Sequence, residues 1–360
     1  MADKIYVDGM LMHWGADLFH GRVKPKKGSV RDMLKAPKGN RSGNSYKPMS
    51  ADAVRQKLRD TFRKVPEVNV KITGSGKHMR QIKAHLDYIS RNGDLALEDQ
   101  DGNLVTGKEA VRDLRDTWRD GRHVIPDAEG TKRETFNIVL SMPPGTDRLG
   151  VNNAVRDFAR DEFGGRFDYV FVSHDDTDHP HAHLAVKAQG YDARRLNPRK
   201  ADLQRWRQSF AEKLREHGIE ANATTRRTRG VTKHSRKKGV IEAERAGRPL
   251  KHYRDPNVNP NNPRASKTRG THGQVLRSYK GIAEALQQSA QPEDHRLAVE
   301  LVKFVASMPL ERQLSQVRQP TREPKREPDI QPGTTGRIGE GKFKKKPAIA
   351  GFLNRAAFQL

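Results

Sequence analysis

Arg166–Ala188 reads RFDYVFVSHDDTDHPHAHLAVKA, two apolar runs, RFDYVFVSH and HAHLAVKA, joined by six residues. Parallel strands need a crossover of a dozen residues or more, so a connection this short predicts an antiparallel pair. Side chains alternate across a strand, which puts His181 and His183 on one face and Ala182, Leu184 and Val186 on the other. His174 ends the first run, and an antiparallel return brings it beside the other two. Three imidazoles on one sheet face make a tripod with open positions, the mark of a catalytic metal site; structural sites close their shell. His179, beside Pro180 in the connection, lies off that face. The competing reading is a polar hairpin whose histidines face solvent; the third histidine and the acids around it argue against this. A ligating imidazole usually donates its other N–H to a carboxylate. Asp178 is placed for that role, with Asp175 and Asp176 as competitors.

Outward from the hairpin, the patterning mixes helices and strands. Val54, Leu58, Phe62 and Val65 recur at helical spacing and Pro66 stops them; Val68, Val70 and Ile72 alternate as a strand. Met79, Ile82, Leu86 and Ile89 predict an amphipathic helix that Gly93 terminates. DLALEDQDGNLVT reads as a hairpin turning at Asp101-Gly102-Asn103, and Thr106 with Glu109 as a capping box for the helix carrying Val111, Leu114 and Trp118. Phe136, Ile138 and Leu140 form another strand, and Val151, Val155 and Phe158 a helix. After Asn197-Pro198, Leu203, Trp206, Phe210 and Leu214 mark a helix closed by Gly218. Without strict β-α alternation, this predicts an α+β fold, helices on one face of a mainly antiparallel sheet.

The 360 residues carry 69 Lys+Arg against 44 Asp+Glu, a net charge of +25, which points to a polyanionic partner such as nucleic acid. Only 34% are hydrophobic, so part of the chain is not core. No cysteine is present, which excludes disulfides, thiolate metal sites and cysteine nucleophiles. No long apolar run and no signal-peptide pattern occur, so a cytoplasmic protein without membrane insertion is expected. Residues 1–49, with Lys and Gly clusters, read as a basic flexible arm, and 50–220 as the folded body. Residues 221–272 read as a basic linker or DNA-contacting segment. Arg226, Arg227, Arg229, Lys233, Arg236, Lys237 and Lys238 stand there in a run without an acid between Ala221 and Val240. A small helical region at 273–310 and a disordered basic tail at 311–360 complete the reading.

HDDTDHPHAH resembles the third motif of conjugative relaxases of the mobilisation-nuclease type, within the wider class of HUH endonucleases. HLDYISRNGDLAL is similar to their first motif, and NIVLSMPPGTD to the strand and Pro/Gly turn between. HGIEANATTRRTRG resembles the segment just beyond the family's nuclease core. Together these span residues 66–232, in the family's order. The resemblance implies a relaxase nuclease domain over 50–220 that nicks one DNA strand at an origin of transfer. Tyr88 would attack the scissile phosphate, leaving a 5′-phosphotyrosine link and a free 3′-OH. His174, His181 and His183 would hold a divalent metal, Mg or Mn foremost, with Zn or Ni as alternatives suited to imidazole. Asp178 would orient a ligand, Ser141 would hold DNA near the cut, and Arg91 would join the basic run in contacting DNA. Implied partners are single-stranded origin DNA, relaxosome accessory proteins, and the type IV coupling protein and secretion channel that would export the strand. In the family the tyrosine lies near the N-terminus, whereas here some 65 residues precede the first matching strand. A tyrosine nucleophile conserves the phosphodiester in a new ester, so the cut reverses without ATP. A nuclease using activated water would need the tripod but not Tyr88. A rolling-circle replication initiator would place its histidine motif ahead of its tyrosine. A plain basic DNA-binding protein would need neither constellation, and a cupin-like enzyme leaves the charge unexplained.

Overall fold

The structure, a computed structural model, describes residues 4–20, 49–231, 238–249 and 263–308. Its centre is a six-stranded sheet in the order β1-β4-β6-β5-β2-β3. The strands are β1 (Asn69–Gly76), β2 (Leu97–Asp99), β3 (Leu104–Val105), β4 (Thr135–Ser141), β5 (Tyr169–His174) and β6 (His181–Lys187). Every neighbour is antiparallel. The hairpin expected at 166–188 is present, pairing His174 with His181 and Val172 with His183.

Helices cover both faces of this sheet, not one as the patterning suggested. Phe136, Leu140, Phe171 and Leu184 pack beneath α5 (Arg148–Phe163) and α6 (Lys200–Glu216). On the other face Val170, Val172 and Ala185 meet Leu86 of α3 (Met79–Ile89) and Trp118 of α4 (Lys108–Asp120). The reason lies in β5, Tyr-Val-Phe-Val-Ser-His, which is apolar on both sides in its first four residues and so needs cover twice. Asp147 caps α5 by accepting from the Gly150 amide at 2.7 Å. The expected Thr106/Glu109 capping box does not form. Gly107, at φ 90°, is the N-cap of α4 with no side-chain cap, and its amide donates instead to the Gly93 carbonyl at 3.0 Å.

The N-terminal reading needs correction. Within 1–49, residues Lys4–His20 form a helix, α1, whose Val7, Leu11, Leu18 and Phe19 are buried. They pack with α2 (Ala51–Phe62), α8 (Pro263–Gln288) and α9 (Pro292–Ser307) in a second core, while a short α7 spans Lys238–Arg245. At its heart Arg55 bonds both oxygens of Asp294 at 2.8 and 2.9 Å and Asp8 at 2.9 Å. Nor is 221–231 a linker. Asn222 exchanges backbone hydrogen bonds with Pro66 and Val68, and Thr224 donates its amide to Glu67 at 2.8 Å. All described residues fall in one compact unit, Met1–Val317. The tail expected at 311–360 lies outside the described residues, as do residues 21–48.

Candidate functional site

Antiparallel register builds the site row by row. Ser141, His181 and His174 stand opposite one another across β4, β6 and β5, and Val139, His183 and Val172 form the next row. Opposite residues share a face, so three imidazoles converge. Their candidate ligand atoms all lie within 4.8 Å of one another. Each imidazole is held differently. His174, buried, donates Nε2–H to the Ile89 carbonyl at 2.7 Å, which leaves Nδ1 for the centre. His181 donates Nδ1–H to the His179 carbonyl at 3.0 Å, which leaves Nε2. His183 keeps Nδ1 out of solvent with no hydrogen-bond partner among the described residues. Burial, reinforced by the neighbouring His174 and His181, lowers its pKa to about 4, so at neutral pH its lone pair is free to ligate. Three imidazole nitrogens around one point fit a divalent cation.

The helix α3 brings the tyrosine. Tyr88 sits in its last turn, 56% exposed, with its ring centroid 5.9 Å from that of His183 and 6.4 Å from that of His174. The His174–Ile89 bond ties the helix end to the triad. Beyond Ile89 the chain turns through Arg91, Asn92 and Gly93, all left-handed at φ 53°, 59° and 95°. Two non-glycine residues in that region are costly and persist only where surroundings hold them. Here the Asn92 amide donates to the Asp87 carbonyl at 2.7 Å and the Gly93 amide to Ser90 Oγ at 3.1 Å. The turn sends the Arg91 guanidinium to 6.0 Å from the Tyr88 ring centroid and into an ion pair with Asp176.

Asp178 does not reach the imidazoles: it is exposed and makes no hydrogen bond among the described residues. The carboxylate beside the triad is Asp176, with Oδ1 3.9 Å from His181 Nε2. Although some burial pushes Asp176 up, the Arg91 hydrogen bond and charge hold it below the usual carboxylate range. Asp175 is drawn away by Arg148, which also donates to the Thr177 carbonyl at 2.6 Å and so clamps the connection. Ser141 accepts from Asn69 Nδ2 at 3.1 Å. His179 lies off the triad, near the Met142 carbonyl.

The basic run divides. Arg227 donates to the Asp17 and Leu18 carbonyls at 2.9 and 3.2 Å, and Arg229 lies 3.5 Å from Glu67. Arg226 is exposed. Lys233, Arg236 and Lys237, and the side chain of Lys238, lie outside the described residues. One neighbour of the triad went unread in the sequence. His85, three residues before Tyr88 on the same helical face, has its ring centroid 6.4 Å from that of His183. Burial lowers its pKa to about 4. The i,i+3 spacing to Tyr88 was its only signal.

The site thus sets a histidine triad on an antiparallel sheet beside a helix-borne tyrosine. Residues 88–219 match the family described as "Relaxase: MobA/VirD2-like, nuclease domain". The chain is 30% identical over 174 residues to the T-DNA border endonuclease VirD2 of Rhizobium radiobacter, covering 44% of this chain and 41% of that protein. The VirD2 of Agrobacterium fabrum is 30% identical over 175 residues, 44% of this chain and 39% of its own. That of Rhizobium rhizogenes is 29% identical over 174 residues, with shares of 44% and 40%. The chain thus spans about two fifths of the length of these relatives. A solved structure titled "Molecular Basis of Vancomycin Resistance Transfer in Staphylococcus aureus" aligns at 11% identity and a TM-score of 0.29, over 45% of this chain and 99% of that one. At that score it adds nothing to the fold above.

Proposed function

We propose that the chain is a site- and strand-specific DNA nickase that cleaves single-stranded DNA at an origin of transfer by tyrosine transesterification. The observation that carries this reading is the Tyr88 ring lying against the His183 and His174 rings, at 5.9 and 6.4 Å. A nucleophile and a metal site must act on one phosphate, and rings this close bring the two together. The Tyr88 oxygen forms a bond to phosphorus as the bond to the 3′ oxygen breaks. The phenol proton leaves, the departing 3′ oxygen gains one, and a 5′-phosphotyrosine ester remains. The reverse reaction rejoins the strand.

His174 Nδ1, His181 Nε2 and His183 would hold a divalent cation, Mg or Mn foremost and Zn or Ni as alternatives. When bound, it supplies charge stabilisation at the non-bridging phosphate oxygens. Arg91 neutralises the incoming phosphate once DNA displaces Asp176, and Ser141, in the same row as His181, holds DNA beside the cut. Relaxosome proteins, a type IV coupling protein and its channel are the partners this activity calls for. Among the described residues no helix is long and apolar enough to cross a membrane.

The test incubates the chain with single-stranded origin oligonucleotides and Mn²⁺ and looks for a denaturant-resistant protein–DNA adduct. Tyr88→Phe should abolish the adduct and leave oligonucleotide affinity nearly unchanged, since the ring stays and only the oxygen goes. A Phe variant that still cleaves without an adduct would instead assign activated water as the nucleophile.

A further inference from the structure

We infer that His85 is the outer partner of His183, holding through one bridging water the nitrogen that His183 turns away from the cleft. The inference rests on the triad being the metal site. A ligating histidine keeps its aim only if its second nitrogen is hydrogen-bonded, and losing that partner typically costs 10–100-fold in metal affinity. His174 and His181 have their partners in the Ile89 and His179 carbonyls. Both sit at strand ends, where backbone carbonyls leave the ladder. His183 sits in mid-strand, flanked in register by Val139 and Val172, whose carbonyls belong to the sheet. Its partner must therefore come from the helix lying over that face. Two α3 side chains lie beside His183, and of these Tyr88 is exposed whereas His85 keeps Nε2 out of solvent.

Two orphans lie on neighbouring rings. Among the described residues, His183 Nδ1 and His85 Nε2 are each out of solvent and without a hydrogen-bond partner. Buried polar nitrogens without partners are rare, so a pair of them on adjacent rings wants an explanation. The ring centroids are 6.4 Å apart, too far for the nitrogens to bond directly and suited to one water between them. In that arrangement Nδ1–H of His183 donates to the water and the water donates to His85 Nε2. The Nε2 lone pair of His183 is then directed to the centre. His85 is a positioning residue on this account and does not touch DNA.

The experiment measures Mn²⁺ affinity of the full chain by calorimetric titration, with metal-free melting as the check on folding. His85→Phe keeps a ring without an acceptor and should bind Mn²⁺ about 10–100-fold more weakly. His85→Gln, whose amide oxygen accepts, should recover most of that loss. Wild-type affinity in the Phe variant overturns the inference, as does a Gln variant no better than Phe. If Phe does not fold, His85→Leu is measured against Gln by the same criterion. His183→Ala separates the two layers of the argument. Loss of Mn²⁺ there with none in His85→Phe sinks only the His85 assignment, whereas undiminished uptake in His183→Ala removes the triad reading and this inference with it.

Discussion

His181 shows how a single hydrogen bond chooses between neighbouring acids. With Nδ1 committed to the His179 carbonyl, the nitrogen that faces the centre is the one 3.9 Å from Asp176. In the sequence three aspartates within four positions of a loop were indistinguishable, because an irregular segment has no period from which to read direction. The separation is measurable. Asp176→Ala should weaken Mn²⁺ binding by roughly tenfold, because it removes a negative charge beside the nitrogen that faces the centre. Asp178→Ala, exposed and unbonded, should change it less than about twofold. Equal losses in the two variants, read by the same calorimetric titration, would return Asp178 to the role first expected of it. Tyr88 and the three histidines were legible because they stood on regular elements, where spacing fixes the face. His85 stood on one too, but a single polar residue beside an apolar stripe looks like any solvated position.

The helix α3 and the turn that ends it form the element on which the site depends. Its apolar stripe Met79, Ile82, Leu86 and Ile89 is buried as the spacing required, and this presents Tyr88 at the boundary. Gly93 does more than end the helix. At φ 95° it occupies a region that L side chains avoid, and an added Cβ would lie 2.5 Å from the Gly107 carbonyl carbon. Gly93→Ala should therefore destabilise the chain by about 1–3 kcal/mol in urea unfolding. The adduct yield should fall further than oligonucleotide affinity, because the displaced turn also carries Arg91 and the Ile89 carbonyl. A variant of unchanged stability would mean that the turn yields freely and does not position the site. Strand and helix existence followed from period two and period 3.6. The two-sided cover of the sheet and the glycine cap of α4 did not. Both depend on partners distant in sequence: α3 and α4 over β5 in one case, the Gly93 carbonyl in the other.

At the scale of the molecule, α1 explains why the N-terminal residues defied reading. Apolar residues and two glycines are scattered around Lys4–His20, and the surface they meet, on α8, lies more than 240 residues away. The same assembly takes part of the basic run into the fold. Arg227 closes carbonyls of the last turn of α1, a favourable place for a cation, and Tyr279 donates to the Thr228 carbonyl at 2.9 Å just beyond. Arg227→Ala should thus lower stability by about 1–2 kcal/mol and leave the salt dependence of DNA binding nearly as it was. Exposed Arg226 aside, the remaining candidates of the run for phosphate contact are Lys233, Arg236, Lys237 and Lys238. Each phosphate neutralised on a single strand contributes roughly −0.7 to the slope of log affinity against log salt. Replacing these four together should flatten that slope by up to about 3, measured by oligonucleotide titration at several salt concentrations. The same variant should still form the Tyr88 adduct with a short oligonucleotide at saturation, since neither triad nor tyrosine is altered. A slope that does not move would exclude the four from the DNA path. A slope that moves with Arg227→Ala instead would mean that this arginine leaves α1 for phosphate, and that the helical assembly loosens when DNA binds.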